Sequence, residues 1–130
     1  GGTLGEVLLT PTRIYVGMLR SIREHGVRIH GCSHITGGGF YENMPRMLPS
    51  GTALEIRRDS YPVPPIFRLI QRMGDVEEEM LYNTFNMGIG MCMAVDPADA
   101  DRTLDAIRAA GDTGYVIGRV TKGDRTVALL

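Results

Sequence analysis

The stretch that decides the fold reads His34-Ile35-Thr36-Gly37-Gly38-Gly39-Phe40 and continues as Tyr41-Glu42-Asn43-Met44-Pro45-Arg46. An apolar run from Val27 to Ile35 precedes it, so the pattern predicts a strand, a three-glycine turn and a short helix. Glycine permits positive φ and leaves backbone amides uncovered, and a following helix adds the positive end of its dipole. This combination suits a phosphate or another anion. The glycines alone leave a plain strand-to-helix turn equally open, because neither G-x-x-x-x-G-K-[ST] nor G-x-G-x-x-G is present.

The composition is that of an ordinary globular domain. The chain has 130 residues, of which 43% are hydrophobic and 22% charged, and its formal net charge is -1. This size predicts one domain with a real core, and the charge gives no reason to expect nucleic acid or an anionic membrane as partner. No apolar run approaches membrane-spanning length, so the cytoplasm is the expected location. Gly1-Gly2-Thr3-Leu4-Gly5 resembles the end of a linker, and we expect residues 1–9 to be a linker remnant and entry segment.

The first helix is predicted from Thr10-Pro11, with Thr10 as its N-cap and proline at the first helical position. Ile14 and Ile22 would lie on its apolar face, and Gly26 would end it.

Three further helices follow from capping signals. Gly74 ends the second, and Asp75 is expected to cap the third. Glu77-Glu78-Glu79 suits the positive dipole end of that third helix better than a metal site. Asp96-Pro97 begins the fourth.

Five segments have the pattern of strands: Val27 to Ile35, Thr52 to Arg57, Met91 to Val95, Thr113 to Val120 and Thr126 to Leu130. The last two are separated by the polar turn Lys122-Gly123-Asp124, which predicts a terminal hairpin. The order of helices and strands predicts an α/β or α+β domain with helices packed on a mixed sheet.

His30, Cys32 and His34 alternate in the first strand and would share one face. A metal site there is not favoured, because no second ligand cluster with zinc-like spacing is present elsewhere. Cys32 and Cys92 both lie in apolar runs, which indicates buried free thiols, although two cysteines leave a disulfide open.

Three motifs stand in order along the chain: Leu8-Leu9-Thr10-Pro11-Thr12-Arg13-Ile14-Tyr15-Val16, the stretch from His34 to Arg46, and Thr84-Phe85-Asn86-Met87-Gly88-Ile89-Gly90-Met91. In sequence, order and spacing they resemble the C-terminal domain of the aminoimidazole ribonucleotide synthetase (phosphoribosylformylglycinamidine cyclo-ligase) family. The resemblance covers essentially the whole chain. It implies an α+β domain of three layers, α/β/α, with a mixed sheet and partial ferredoxin-like topology, in which residues 10–130 are the substrate-side domain.

The resemblance also implies an activity. Members of this family are ligases of purine biosynthesis that use ATP to close formylglycinamidine ribonucleotide to aminoimidazole ribonucleotide. ATP and magnesium would be held mainly by an N-terminal domain that is absent here. The active site would lie in the cleft between that domain and this one, and the full-length enzyme would be a homodimer. No cofactor and no activity are expected of this chain alone, and the face that meets the other domain should be uncovered. The alternatives are the corresponding domain of a related ATP-dependent enzyme, or a stand-alone anion-binding or protein-interaction module without catalysis.

The residues that the resemblance implies for the substrate site are Thr36, Gly37, Gly38, Gly39, His34, Asn43, Arg13 and Asn86. The glycine amides would donate to a phosphate, and the fork-shaped donors of Arg13 would neutralise it, unless Arg13 is only an exposed arginine. His34 would donate a hydrogen bond or assist proton transfer, and a satisfied histidine at a strand end is equally compatible. Asn43 would orient the substrate amide or stabilise the turn, and Asn86 would shape the cleft wall. No metal ligand is expected.

Overall fold

The computed structural model describes residues 2–130. This part of the chain contains the helices α1 (Leu4–Leu8), α2 (Val16–Glu24), α3 (Gly39–Asn43), α4 (Pro65–Gly74), α5 (Glu78–Thr84) and α6 (Ala100–Ala109), and the strands β1 (Ile29–His34), β2 (Thr52–Ile56), β3 (Met91–Val95), β4 (Gly118–Lys122) and β5 (Val127–Leu129). Short 3-10 turns follow α3 and β2 and precede α6. The predicted α+β class is confirmed. Within the described residues, no helix is both long enough and apolar enough to cross a membrane.

The strands form two sheets, one of which is mixed. β1 pairs with β3 in antiparallel orientation, with Cys32 opposite Met93 and His34 opposite Met91. In the other sheet β2 is central, antiparallel to β4 and parallel to β5. The end of β1 therefore lies beside the start of β3, next to the glycine turn.

The predicted terminal hairpin is wrong, because β2 lies between β4 and β5. The turn after β4 is held against the start of β2: the Gly123 amide donates to the Gly51 carbonyl (3.1 Å), and the Arg125 amide donates to the Thr52 carbonyl (2.7 Å). Both edges of a strand carry backbone groups that need partners. The chain crosses the end of β2, and β5 pairs with its second edge.

The β1–β3 sheet separates two hydrophobic clusters. On one face the two helices α2 and α6 pack together over the alternate β3 residues Met91, Met93 and Val95. Cys92, which points to the opposite face, belongs to a larger cluster. That cluster brings in β2 and the helices α3 and α5, through Leu54, Ile56, Phe40, Leu81 and Tyr82. Each face of this two-stranded sheet is therefore covered by a different group of elements.

The predicted start of the first helix at Thr10 is wrong. α2 begins at Val16, residues 10–15 are non-helical, and the Ile14 side chain is exposed. Thr10 ends the preceding helix instead, since its hydroxyl donates to the Glu6 carbonyl (3.2 Å) and its amide to the Val7 carbonyl (3.3 Å). These bonds compete with the N-cap role that the sequence suggests.

The predicted linker remnant, residues 1–9, contains the short helix α1. A capping box begins this helix: the Glu6 amide donates to the Thr3 hydroxyl (3.3 Å), and the Thr3 amide donates to the Glu6 carboxylate (2.7 Å). None of the α1 residues is buried. Gly1 lies outside the described residues, and the predicted division at residues 9 and 10 stays a prediction.

Asp75 does not cap the third predicted helix. It follows α4 with φ of 46°, in the left-handed region, and its amide donates to the Gln71 carbonyl. Aspartate tolerates this conformation better than most residues other than glycine. α5 begins at Glu78, with Glu77 at its N-cap, so two of the three glutamates lie in its first turn, where the helix dipole favours them.

Both cysteines are free thiols, and only Cys92 is buried. Burial raises the pKa of the Cys92 thiol to about 12. The prediction of a buried Cys32 is wrong. The Cys32 side chain is exposed, and its Sγ lies 3.2 Å from the Met91 Sδ.

Two isoleucines that the sequence assigns to one helix face should differ sharply in their effect on stability. Ile22 is 0% exposed between α2 and α6, so Ile22→Ala should lower the free energy of unfolding by about 2–5 kcal/mol. Ile14 is 83% exposed, so Ile14→Ala should change that free energy by less than about 0.5 kcal/mol. Urea denaturation followed by circular dichroism measures both. Equal losses would show that residues 10–15 pack as part of α2.

Candidate functional site

The three motifs, which are distant in sequence, line one open cleft of about 510 Å³. The first motif contributes the non-helical residues before α2, the second the end of β1 and the glycine turn, and the third the link from α5 to β3. One side chain of α4 completes the wall. The lining residues are Thr10, Pro11, Thr12, Arg13, Tyr15, His34, Ile35, Thr36, Gly37, Phe67, Thr84, Phe85, Asn86 and Gly90.

Strand pairing brings two of the three segments together. His34 at the end of β1 stands opposite Met91 at the start of β3. One further bond, from the Ile35 amide to the Gly90 carbonyl (2.9 Å), joins the chain beyond those two residues. The loops that leave β1 and enter β3 are therefore fixed side by side, and both face the cleft.

Asn43 lies behind the glycine turn and is only 1% exposed. Its side-chain oxygen accepts a hydrogen bond from the Thr36 amide (2.7 Å), and its carbonyl accepts one from the Ser33 hydroxyl (2.8 Å). A buried asparagine that accepts hydrogen bonds through both its side chain and its backbone carbonyl holds the turn in one conformation. Asn43 is thus placed to position Thr36, and it does not line the cleft.

The three glycines have different surroundings. The Gly39 amide donates to the Thr36 carbonyl (3.0 Å), so it has no free donor for a ligand. A Cβ on Gly39 would lie 1.9 Å from the Tyr82 carbonyl oxygen, and one on Gly38 would lie 2.8 Å from the Asn43 amide nitrogen. Both glycines have positive φ, 57° and 124°, and serve close packing of the turn. Gly37 alone of the three lines the cleft, and its amide has no partner among residues 2–130.

Arg13 carries the one permanent charge of the cleft lining that the structure describes. Its guanidinium is about half exposed and donates to the Asp112 carboxylate (2.6 Å), which lies in the turn after α6. No carboxylate is part of the described lining. A cleft with a guanidinium and a free backbone amide favours an anionic ligand.

Tyr15 joins the first motif to the other two. Its ring meets the His34 ring edge-on, with the ring centroids 5.8 Å apart. A Cβ on Gly90 would lie 1.8 Å from the Tyr15 hydroxyl, so only glycine leaves room for this side chain. Burial raises the pKa of Tyr15, with Arg13 lowering it and Asp112 raising it, which puts the phenol within the field of that ion pair.

Asn86 forms part of the cleft wall through a local turn. Its side-chain oxygen accepts from the Gly88 amide (3.0 Å), and its carbonyl accepts from the Ile89 amide (2.9 Å). These bonds fix the link into β3 and leave the side-chain NH₂ group of Asn86 as a donor at the cleft.

The sequence analysis considered a metal site on the alternating residues of β1 and did not favour it. His30, Cys32 and His34 are each exposed, and the His30 ring lies 3.2 Å from the Asp96 carboxylate. Across residues 2–130 there is no group of three histidine, cysteine or acidic side chains placed to hold a metal ion.

The cleft brings together Arg13, His34, Thr36, Gly37 and Asn86 of the predicted site residues, whereas Gly38, Gly39 and Asn43 lie behind it. The sequence interpretation missed Tyr15 and Asp112 as site residues. Tyr15 has the spacing of a helix-face residue, which hides its position just before α2. Asp112 is 99 residues from Arg13, and no local pattern marks that pairing.

A family model described as "AIR synthase related protein, C-terminal domain" matches residues 1–130. The chain therefore belongs to this family.

Curated relatives named phosphoribosylformylglycinamidine cyclo-ligase are similar to the chain over its whole length. The protein of Lachnospira eligens is 58% identical over 129 residues, which are 99% of this chain and 38% of the relative. The protein of Agathobacter rectalis is 57% identical over 130 residues, 100% of this chain and 38% of the relative. The chain thus spans about 38% of the length of these relatives.

Solved structures support the fold. The chain is similar to a crystal structure of E. coli HypE, a hydrogenase maturation protein, with a TM-score of 0.68 and 20% identity over 90% of this chain and 36% of that one. A second E. coli HypE structure has a TM-score of 0.64 and 21% identity over 97% of this chain and 40% of that one. At this identity the likeness concerns the fold.

Alanine substitutions at Gly39 and Gly37 should show which of these glycines the packing of the turn requires. In Gly39→Ala the new Cβ meets the Tyr82 carbonyl at a positive φ, and the free energy of unfolding should fall by about 3 kcal/mol or more. In Gly37→Ala the Cβ meets no atom within 4 Å, and the change should stay below about 0.5 kcal/mol. Thermal and urea unfolding of both variants test this. A stable Gly39→Ala variant would contradict the close packing of the turn on α5.

Proposed function

We propose that this chain is the C-terminal, substrate-side domain of a phosphoribosylformylglycinamidine cyclo-ligase of purine biosynthesis. The observation that carries the proposal is the convergence of the three motifs on one cleft, in a chain that belongs to the AIR synthase family. The activity belongs to the whole protein, of which the chain corresponds to about 38% in its relatives.

The proposed reaction closes an imidazole ring at the expense of ATP. The amide oxygen of formylglycinamidine ribonucleotide receives the γ-phosphoryl group, which makes it a good leaving group. An amidine nitrogen then attacks the same carbon, the carbon–oxygen bond breaks, and aminoimidazole ribonucleotide, ADP and phosphate result. The attacking nitrogen must lose a proton in this sequence, so the site needs an acceptor as well as binding groups for phosphate.

Arg13 and the Gly37 amide are the binding groups for the ribonucleotide phosphate in this proposal. The guanidinium is half exposed at the cleft, and the amide is free, so both can donate without losing an existing partner inside the cleft. Charge-assisted donors of this kind are the strong ones for phosphate oxygens. The phosphate is unchanged by ring closure, so these contacts contribute to substrate affinity.

His34 is the proposed proton acceptor. It lies at the end of β1 with its ring in a T-shaped contact with the Tyr15 ring, which restricts the orientation of the imidazole at the cleft. The NH₂ group of Asn86 is a donor for the substrate amide. Asn43 acts through Thr36 and makes no substrate contact in this scheme.

The second wall of the active site is proposed to come from an N-terminal domain that binds ATP and magnesium. The described cleft lining offers no carboxylate, the ligand that Mg²⁺ prefers, so the residues present do not fit a magnesium site by themselves. Leu9, which precedes the lining residues of the first motif, is 82% exposed, and Ile14, which lies between two of them, is 83% exposed. Apolar side chains this exposed beside a cleft suit a covering domain. A cytoplasmic homodimer completes the proposal.

A chimera tests the proposal. In it, this chain replaces the matching C-terminal part of the Lachnospira eligens protein, to which it is 58% identical. The chimera should convert formylglycinamidine ribonucleotide with ATP at a rate within about tenfold of the parent, because it joins the cleft of this chain to the parent's N-terminal part. The 130-residue chain alone should show no ring closure, because in this proposal the groups that position ATP belong to the N-terminal domain.

The controls distinguish the alternatives. A chimera that unfolds in a single cooperative transition but forms no product would overturn the cyclo-ligase proposal and favour the stand-alone binding module. Ring closure by the isolated chain would overturn the two-domain site. ADP formation without imidazole formation would instead favour a related ATP-dependent reaction.

Within the active chimera, Arg13→Ala should raise KM for the ribonucleotide about 10- to 100-fold, because a charged hydrogen-bond donor to its phosphate is lost. The turnover number should change by less than about threefold, since the phosphate contact is the same in substrate and transition state. Arg28→Ala, which changes an exposed arginine outside the described cleft lining, is the control. A fall in kcat with unchanged KM would place Arg13 at the reacting group instead.

A further inference from the structure

The ion pair between Arg13 and Asp112 joins the cleft to an element that takes no other part in it. Nη1 of Arg13 donates to Oδ1 of Asp112 at 2.6 Å, across 99 residues of sequence. The side chain of Asp112 is 14% exposed and that of Arg13 is 58% exposed. The carboxylate is thus the fixed, covered partner, and the guanidinium extends from it into the cleft.

The backbone fixes Asp112 independently of Arg13. Gly111 has a positive φ of 82° and ends α6, and the Asp112 amide donates to the Ile107 carbonyl (3.1 Å). Ile107 itself is buried between α2 and α6. A carboxylate held this way is a rigid anchor, because it is attached to the packed end of a helix.

The other arginine–carboxylate pairs of the described chain lack this combination. The pairs of Arg102 with Asp99, the N-cap of α6, and of Arg108 with Asp105 within α6 are local, because the two residues of each pair are three positions apart. The pair of Arg58 with Glu78 has a carboxylate side chain that is 51% exposed. The pair of Arg119 with Glu55 lies across two neighbouring strands. Only the Arg13 pair has a well-covered carboxylate, a long sequence separation and a partner in the cleft.

We propose that Asp112 is a positioning residue that holds the Arg13 guanidinium in the orientation for binding the ribonucleotide phosphate. One nitrogen of the fork is occupied by Asp112, and the Nε and the second terminal nitrogen are left to the ligand. An arginine held before binding loses less side-chain entropy when the ligand arrives, which raises affinity without a new ligand contact. This inference rests on the proposed function, since it assigns the ligand of Arg13.

Kinetics of the chimera described above test the inference. Asp112→Ala should raise KM for the ribonucleotide about 3- to 10-fold, with kcat within about twofold. Asp112→Asn, which keeps an acceptor oxygen, should recover part of that loss. Asp105→Ala is the matched control, because it removes a 2.9 Å pair with Arg108 on the surface of α6 away from the cleft. It should leave KM unchanged.

A double-variant cycle separates positioning from a general structural role. If Asp112 acts only through Arg13, the variant with both Arg13→Ala and Asp112→Ala should have the KM of Arg13→Ala within about twofold. Multiplied effects of the two substitutions would overturn the inference. A lower KM in Asp112→Ala would overturn it too, because Asp112 would then compete with the ligand for the guanidinium.

Calorimetry with inorganic phosphate keeps the test independent of catalysis. If the chimera forms no product but binds phosphate, Asp112→Ala should weaken that binding relative to Asp105→Ala, which supports the positioning role while the proposed reaction fails. Equal phosphate affinity in the two variants overturns the positioning role whether or not the reaction occurs. A chimera that neither binds phosphate nor forms product overturns both proposals.

Discussion

The antiparallel pairing of β1 with β3 is the constraint on which the rest of this structure depends. The pairing places His34 opposite Met91, and the hydrogen bond from the Ile35 amide to the Gly90 carbonyl extends the pairing by one residue into the adjoining loops. Because residues alternate between the two faces of a strand, the same two strands support a separate hydrophobic cluster on each side. A change in this register would therefore move the cleft loops and exchange both sets of core residues.

Close packing explains more of the glycines near the cleft than ligand binding does. Gly39 lets the turn approach the carbonyl of Tyr82, and Gly90 lets the Tyr15 hydroxyl approach the chain before β3. The Gly90 contact joins the third motif to the first, and the Gly39 contact joins the second motif to α5. A run of glycines that suggests an anion-binding loop can thus be needed mainly because three chain segments meet within van der Waals distance. Gly37 is the member of the run that leaves space at the cleft.

Local signals in the sequence predicted much of the local structure, and the errors arose where another partner, near or distant in the chain, takes a strand edge or a side chain. The α+β class and the helix after Asp96-Pro97 follow from capping and periodicity. The terminal hairpin failed because β5 pairs with the far edge of β2, which no turn signal encodes. Thr10 failed as a cap because Glu6, four residues earlier, already takes its hydroxyl. The three motifs contain most of the residues that line the cleft, but only the folded structure shows that Asp112 is the partner of Arg13.

The described cleft lining has groups that bind anions but no acidic side chain, and this supports an active site that is completed by a second domain. This described lining provides a guanidinium, a histidine, a free amide and an amide side chain, which suit a phosphate ester and a proton transfer. It provides no carboxylate for a magnesium–nucleotide complex. Arg13, the permanent charge of this lining, already donates to a carboxylate outside the cleft, so the orientation of its guanidinium is restricted before any ligand arrives. On the proposal above, the acidic half of the chemistry lies on the opposite wall, and joining the domains assembles two sites that are individually incomplete.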